Sequence, residues 1–177
     1  MTAQAISKAV ERVRHLLDSR PQAGIHADEP AVARWQEDLR VICSHANGTQ
    51  IATDLPAQLG GTGDQATPGW LMRAALASCL AARIAMEAAA EGIALARLEV
   101  TAASTSDARG LFGMTTGAGE PITAAPCEVR LTVQISAPGV PAGRLQGIVD
   151  ESYRCSPVAV ALVSVVPIAV HVDVDAS

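Results

Sequence analysis

"TPGWLMRAALASCLAARIAMEAAAEG", residues 67–92, decides the fold. Thr67 suits a helix N-cap, Pro68 suits the first helical position, and Gly92 suits the stop. The pattern predicts one long helix over residues 68–91, rich in Ala and poor in bulky side chains. A helix this lean lets other backbones approach closely, so it is expected at the centre, wrapped by other elements. Arg83 and Glu87 interrupt it, so it lacks the roughly 20 clean apolar residues expected of a membrane span.

The flanking segments read as strands and shorter helices. Upstream, Val10, Val13, Leu16 and Leu17 fall at helical spacing and predict a helix from Ile6 to Asp18. "SRPQAGIHADEPAVA" (19–33) reads as a loop. "DLRVICS" and "IATDL" alternate around "ANGTQ", whose Asn-Gly predicts a hairpin with a type I′ turn. Downstream, "LARLEVTA" (95–102) and "CEVRLTVQIS" (127–136) alternate as strands, separated by an exposed connection. "PAGRLQGIVDESYR" (141–154) predicts a helix, and Ser156-Pro157 opens a further short one. "PIAVHVDV" (167–174) alternates and predicts a closing strand. The order gives an α+β fold, antiparallel sheet covering a helical centre.

Composition narrows the function. The chain has 177 residues, 49% hydrophobic and 18% charged, consistent with one folded domain. Its net charge is −5 and Lys8 is the only lysine, which argues against a nucleic-acid partner. The N-terminus is a polar amphipathic helix with no apolar signal core, and no membrane partner is expected. "LASC" (76–79) ends like a lipoprotein cleavage site, but its distance from the N-terminus rules that out. "LGGTG" (59–63) lacks the Lys-Ser/Thr of a phosphate loop. The four cysteines form no CxxC pair and the His do not join them, so no metal and no cofactor is expected. Scattered thiols fit a reducing cytoplasm.

The thiols divide into two kinds. Cys43 and Cys127 share the apolar parity of their strands and read as small buried fillers. Cys79 lies mid-helix with Arg83 four residues on, where a cation favours the thiolate. Cys155 sits at a helix entry, where the dipole does the same. The residues alone leave both a reactive and a core-filling role open for Cys79 and Cys155. Trp70 could line a pocket or simply pack, and His171 reads as solvated.

These residues resemble the OsmC/Ohr family (osmotically inducible protein C and organic hydroperoxide resistance protein). Gly60, Gly61, Pro68, Ala74, Ala75, Leu76, Ser78 and Cys79 match its Leu-Gly-Gly turn, Pro and "AALxSC" helix. "DARGLFGM" (107–114) resembles its Arg-Gly segment. In "CSPVAVAL", Cys155, Pro157, Val158 and Leu162 resemble its second motif, Cys followed by Pro-Val and a Leu. The resemblance implies an OsmC-like domain over residues 35–177, after an N-terminal helix and loop extension over 1–34. It implies an intertwined homodimer with two central helices wrapped by antiparallel sheets.

The chemistry it implies is a bacterial oxidative-stress peroxidase. Cys79 would be the peroxidatic thiolate attacking an organic hydroperoxide or hydrogen peroxide. Cys155 would resolve the sulfenic acid as a disulfide, and a dithiol would reduce it. The family's most active branch carries a Glu just after the helix-starting Pro to orient an Arg. Gly69 stands there, and Arg40 or Arg83 are the candidates for the Arg. The alternatives are a non-catalytic small-ligand-binding protein on the same scaffold and a structural protein with inert thiols.

Overall fold

The computed structural model describes residues 3–164 and 166–174. Helix α1 (Ala3–Ser19) extends the expected N-terminal helix at both ends. A 3-10 turn, Pro21–Gly24, breaks the following loop. The loop also ends in a strand that alternation did not reveal, β1 (Val32–Trp35). It pairs antiparallel with β2 (Val41–Ser44), which pairs antiparallel with β3 (Gln50–Thr53). β1 lies across the 34/35 boundary.

The β2–β3 turn differs in type from the expected one. His45 N–H donates to Thr49 O, Gly48 N–H donates to His45 O, and Gly48 alone takes a positive φ, +90°. That is a three-residue loop with glycine at its left-handed position, since a type I′ turn would also need Asn47 at positive φ.

Helix α2 (Pro68–Ala90) starts as expected, with the Thr67 hydroxyl accepting from the Trp70 N–H. It ends before Gly92, whose φ of +71° turns the chain away. By length and hydropathy α2 could cross a membrane. Here its Leu76, Leu80, Ile84, Ala88 and Ala89 are buried, and it packs against α1 and three later elements. Those elements are β4 (Arg97–Thr105), α4 (Ala142–Arg154) and α5 (Pro157–Val163).

A four-residue helix, α3 (Ala108–Leu111), interrupts the connection to β5 (Cys127–Ser136). β4 and β5 form a two-stranded antiparallel sheet. Leu80, Ile84 and Ile148 are the centre of the core, with Leu98, Val100, Leu131, Val133 and Ile135 of the sheet packed on them. The α+β architecture and its antiparallel sheets match expectation.

Two further expectations are corrected. Residues 166–174 form no strand: they carry no regular structure, and Ile168, Val170, Val172 and Val174 are exposed. Their alternation is real, but a strand exists only where it pairs, and this segment pairs with none of the described strands, although both sheets leave open edges. Cys127 is exposed, not a buried filler. The inward face of β5 is covered only from Leu131 onward, so the start of the strand lies beyond the core. Cys43 is half-buried.

Candidate functional site

Cys79 sits half-buried on α2, between the buried Leu76 and Leu80. The buried face of α4 runs Leu145, Ile148, Ser152 and packs against α2. The chain leaves α4 at Cys155 and enters α5 through Ser156 and Pro157. At this junction the Ser156 hydroxyl is fully buried and donates to Cys79 Sγ at 3.3 Å. The two motifs, 77 residues apart, therefore meet.

The residue that touches Cys79 is Ser156, and Cys155 beside it is exposed. All four cysteines are free thiols. The sequence reading missed Ser156. The available signal was the residue inserted between Cys155 and Pro157-Val158, where the family pattern has the two adjoining. One turn upstream, Ser152 Oγ is also fully buried, with no hydrogen-bond partner among the described residues.

The arginines go elsewhere. Arg40 donates to Asp54 at 3.3 Å and to Thr62 Oγ1 at 2.8 Å, and pairs with Asp64. Asp54 is buried, and its carboxyl is held down at about 2. The Thr62 hydroxyl is the main cause, assisted by the Thr62 and Leu55 N–H groups and by Arg40. Asp64 is lowered too, by Thr62 and then Arg40. "LGGTG" thus wraps a buried carboxylate. A Cβ on Gly61 would lie 1.9 Å from Leu55 O and 2.5 Å from Asp54 Oδ1, so only glycine fits.

Arg83 donates to Glu87 at 2.9 Å, and Arg14 joins the same carboxylate at 3.4 Å. No arginine bonds Cys79 among the described residues. In the Arg-Gly segment, Arg109 makes a bidentate pair with Asp107, the N-cap of α3. That pairing lowers the Asp107 carboxyl. Gly110 is buried against Thr123 O, where a Cβ would lie at 2.1 Å.

At Gly69 a Cβ would lie in open contact, 3.8 Å from Arg73 Nη1. Arg73 itself reaches Ser104 Oγ at 3.4 Å. Trp70 and His171 are both exposed.

A largely apolar cavity of about 400 Å³ opens beside the thiol's helix. Leu76 and Leu80 of α2, Leu131 and Val133 of β5, and Tyr153 and Leu162 near the junction line it. Among the described residues, no group of three His, Cys, Asp or Glu side chains could hold a metal ion.

The arrangement defines a class: an α+β scaffold whose long helix presents a thiol to the junction between two later helices. A profile of the OsmC-like protein family matches residues 61–171, and the chain belongs to that family.

Solved structures share the fold. An OsmC-like protein from Mycoplasma pneumoniae aligns with a TM-score of 0.64 at 18% identity, covering 78% of this chain and 89% of that one. An OsmC-like protein of unknown function from Vibrio cholerae aligns at 0.60 and 13% identity, covering 76% and 92%. An organic hydroperoxide resistance protein OsmC from Legionella pneumophila aligns at 0.53 and 19% identity, covering 78% and 92%. No curated protein matches the sequence.

Proposed function

We propose that this chain is a thiol-dependent peroxidase acting on hydroperoxides in oxidative-stress defence. The observation that carries the reading is the Ser156 hydroxyl donating to Cys79 Sγ at 3.3 Å inside the family's paired-motif site. The Cys79 thiolate attacks the terminal peroxide oxygen, the O–O bond breaks, and the alcohol leaves with a proton. Cys79 is then a sulfenic acid. The apolar cavity beside Leu76 and Leu80 suits the organic part of an alkyl or aryl hydroperoxide. Resemblance assigns the resolving role to Cys155 and the final reduction to a dithiol, in the cytoplasm.

An intertwined homodimer belongs to the same reading. Two features support it. The β1–β3 sheet has no buried apolar side chain of its own, and Trp35 on it is 69% exposed. On α2, Ala75, Ser78 and Ala82 form an exposed small-residue stripe that another helix can approach closely.

A second reading, a non-catalytic small-ligand carrier, draws on the same cavity and on Gly69, which supplies no carboxylate. The test is consumption of cumene hydroperoxide with a dithiol present. The peroxidase reading expects steady turnover that Cys79→Ser abolishes. Turnover unchanged in Cys79→Ser refutes it. Ligand-induced thermal stabilisation without turnover favours the carrier.

A further inference from the structure

We infer that Cys79 has no resolving thiol facing it: Ser156 occupies that position, so a Cys79 sulfenic acid is reduced by an external thiol through a mixed disulfide. The inference rests on the peroxidase reading and changes its second half.

The α4–α5 junction decides which residue faces Cys79. Cys155 and Ser156 are neighbours, yet one is exposed and the other is fully buried against Cys79. The backbone fixes which of them faces in. Cys155 N–H donates to Glu151 O and Ser156 N–H to Tyr153 O, both closing the end of α4. Ser156 O accepts from Val160 N–H, which opens α5, and Pro157 locks φ in its first turn. Turning Cys155 inward in place of Ser156 would require rotating the backbone out of these bonds and would draw the Ser156 hydroxyl away from Cys79. The second motif confirms the offset in the chain itself, since the residue directly before Pro157-Val158 is Ser156.

A serine hydroxyl can hold a thiolate, but it cannot form a disulfide. The cycle then balances with two external thiols. The thiolate, the hydroperoxide and a proton give the sulfenic acid and an alcohol. The first external thiol attacks the Cys79 sulfur, forming an S–S bond and releasing water. A second thiol attacks the mixed disulfide, restores Cys79 and leaves as the oxidised external disulfide. The two electrons lost to the peroxide are thus returned by external sulfur.

The experiment is peptide mapping of the full chain after one equivalent of cumene hydroperoxide, with dimedone to trap sulfenic acid. The inference expects a dimedone adduct on Cys79 and no disulfide joining Cys79 to Cys155. Replacing dimedone with β-mercaptoethanol should give a mixed disulfide on Cys79. Ser156→Cys, a near-isosteric change, should instead close an internal disulfide to Cys79. It should cut the dimedone adduct at least about 10-fold, because the facing thiol acts at high effective concentration.

A Cys79–Cys155 disulfide in the unmodified protein, within one chain or between two, overturns the inference and leaves the peroxidase reading standing. If the hydroperoxide leaves Cys79 unoxidised, the peroxidase reading fails. The placement of Ser156 is then tested with diamide: disulfide formation at Cys79 in Ser156→Cys alone supports it, and a Cys79–Cys155 disulfide in the unmodified protein refutes it.

Discussion

Between residues 32 and 64 the buried side chains are Thr53 and Asp54. Between residues 76 and 159 they include Leu76, Leu80, Ile84, Leu145 and Ile148, and the polar ones are Ser152 and Ser156. The first region is organised around a carboxylate that a guanidinium, hydroxyls and backbone N–H groups saturate. The second is organised around aliphatic packing, with the Cys79 thiol at its margin and the Ser152 and Ser156 hydroxyls as its buried polar members. The Arg40–Asp54 cluster is therefore kept apart from Cys79. Arg40, the arginine nearest in order to the family's activating one, belongs to the polar region. What supports Cys79 in the apolar region is a neutral donor, Ser156.

The contrast can be broken most severely from the apolar side. Ile148→Ala removes a fully buried side chain from the α2–α4 contact that sets Cys79 against Ser156. It should destabilise the fold by roughly 2–5 kcal/mol in urea unfolding. A loss under about 1 kcal/mol would mean that this contact is not the core.

From the polar side, Gly61→Ala drives a methyl into Leu55 O and should cost about 1–3 kcal/mol. Its effect should appear as loosening of the 54–64 loop in amide exchange, with less change at α4.

A smaller effect tests the buried carboxylate by pH. Asp54 has a folded-state value of about 2, below its unfolded value. Its contribution is therefore complete above about pH 4 and is lost as pH falls through about 2. The unmodified chain should lose stability over that window, and Asp54→Asn should lose less. Equal slopes for the two would show that Asp54 is not held as described.

The smallest change tests the missing carboxylate. Gly69→Glu should stabilise α2 by up to about 1 kcal/mol, through higher helix propensity and a negative charge at the helix N-terminus. Thermal unfolding would register it, and a lowered melting temperature would show that the site is less open than the 3.8 Å approach to Arg73 implies.

Elements whose signals are local were legible in the sequence. Thr67-Pro68 and Gly92 bound α2 because capping depends on a few adjacent residues. The strand over 127–136 showed itself through clean alternation. What failed to read depends on partners. Residues 166–174 alternate as well as any strand, but alternation carries no information about pairing. Cys127 has core parity, yet lies where the sheet has run past its cover. β1 is four residues of "VARW", too short to stand out from its loop.

At the site, the motif singled out Cys79, and the structure brings the second motif to it. Which neighbour faces it was not, because a shift of one residue at the α4–α5 junction decides between a thiol and a hydroxyl.

The most direct measurement of the central claim is the order in which the four thiols oxidise under limiting cumene hydroperoxide, read by dimedone labelling and peptide mapping. Exposure alone would put Cys127 and Cys155 ahead of the half-buried Cys79. The account predicts the reverse, with Cys79 labelled first. Labelling that begins at Cys127 or Cys155 and leaves Cys79 for last would contradict it.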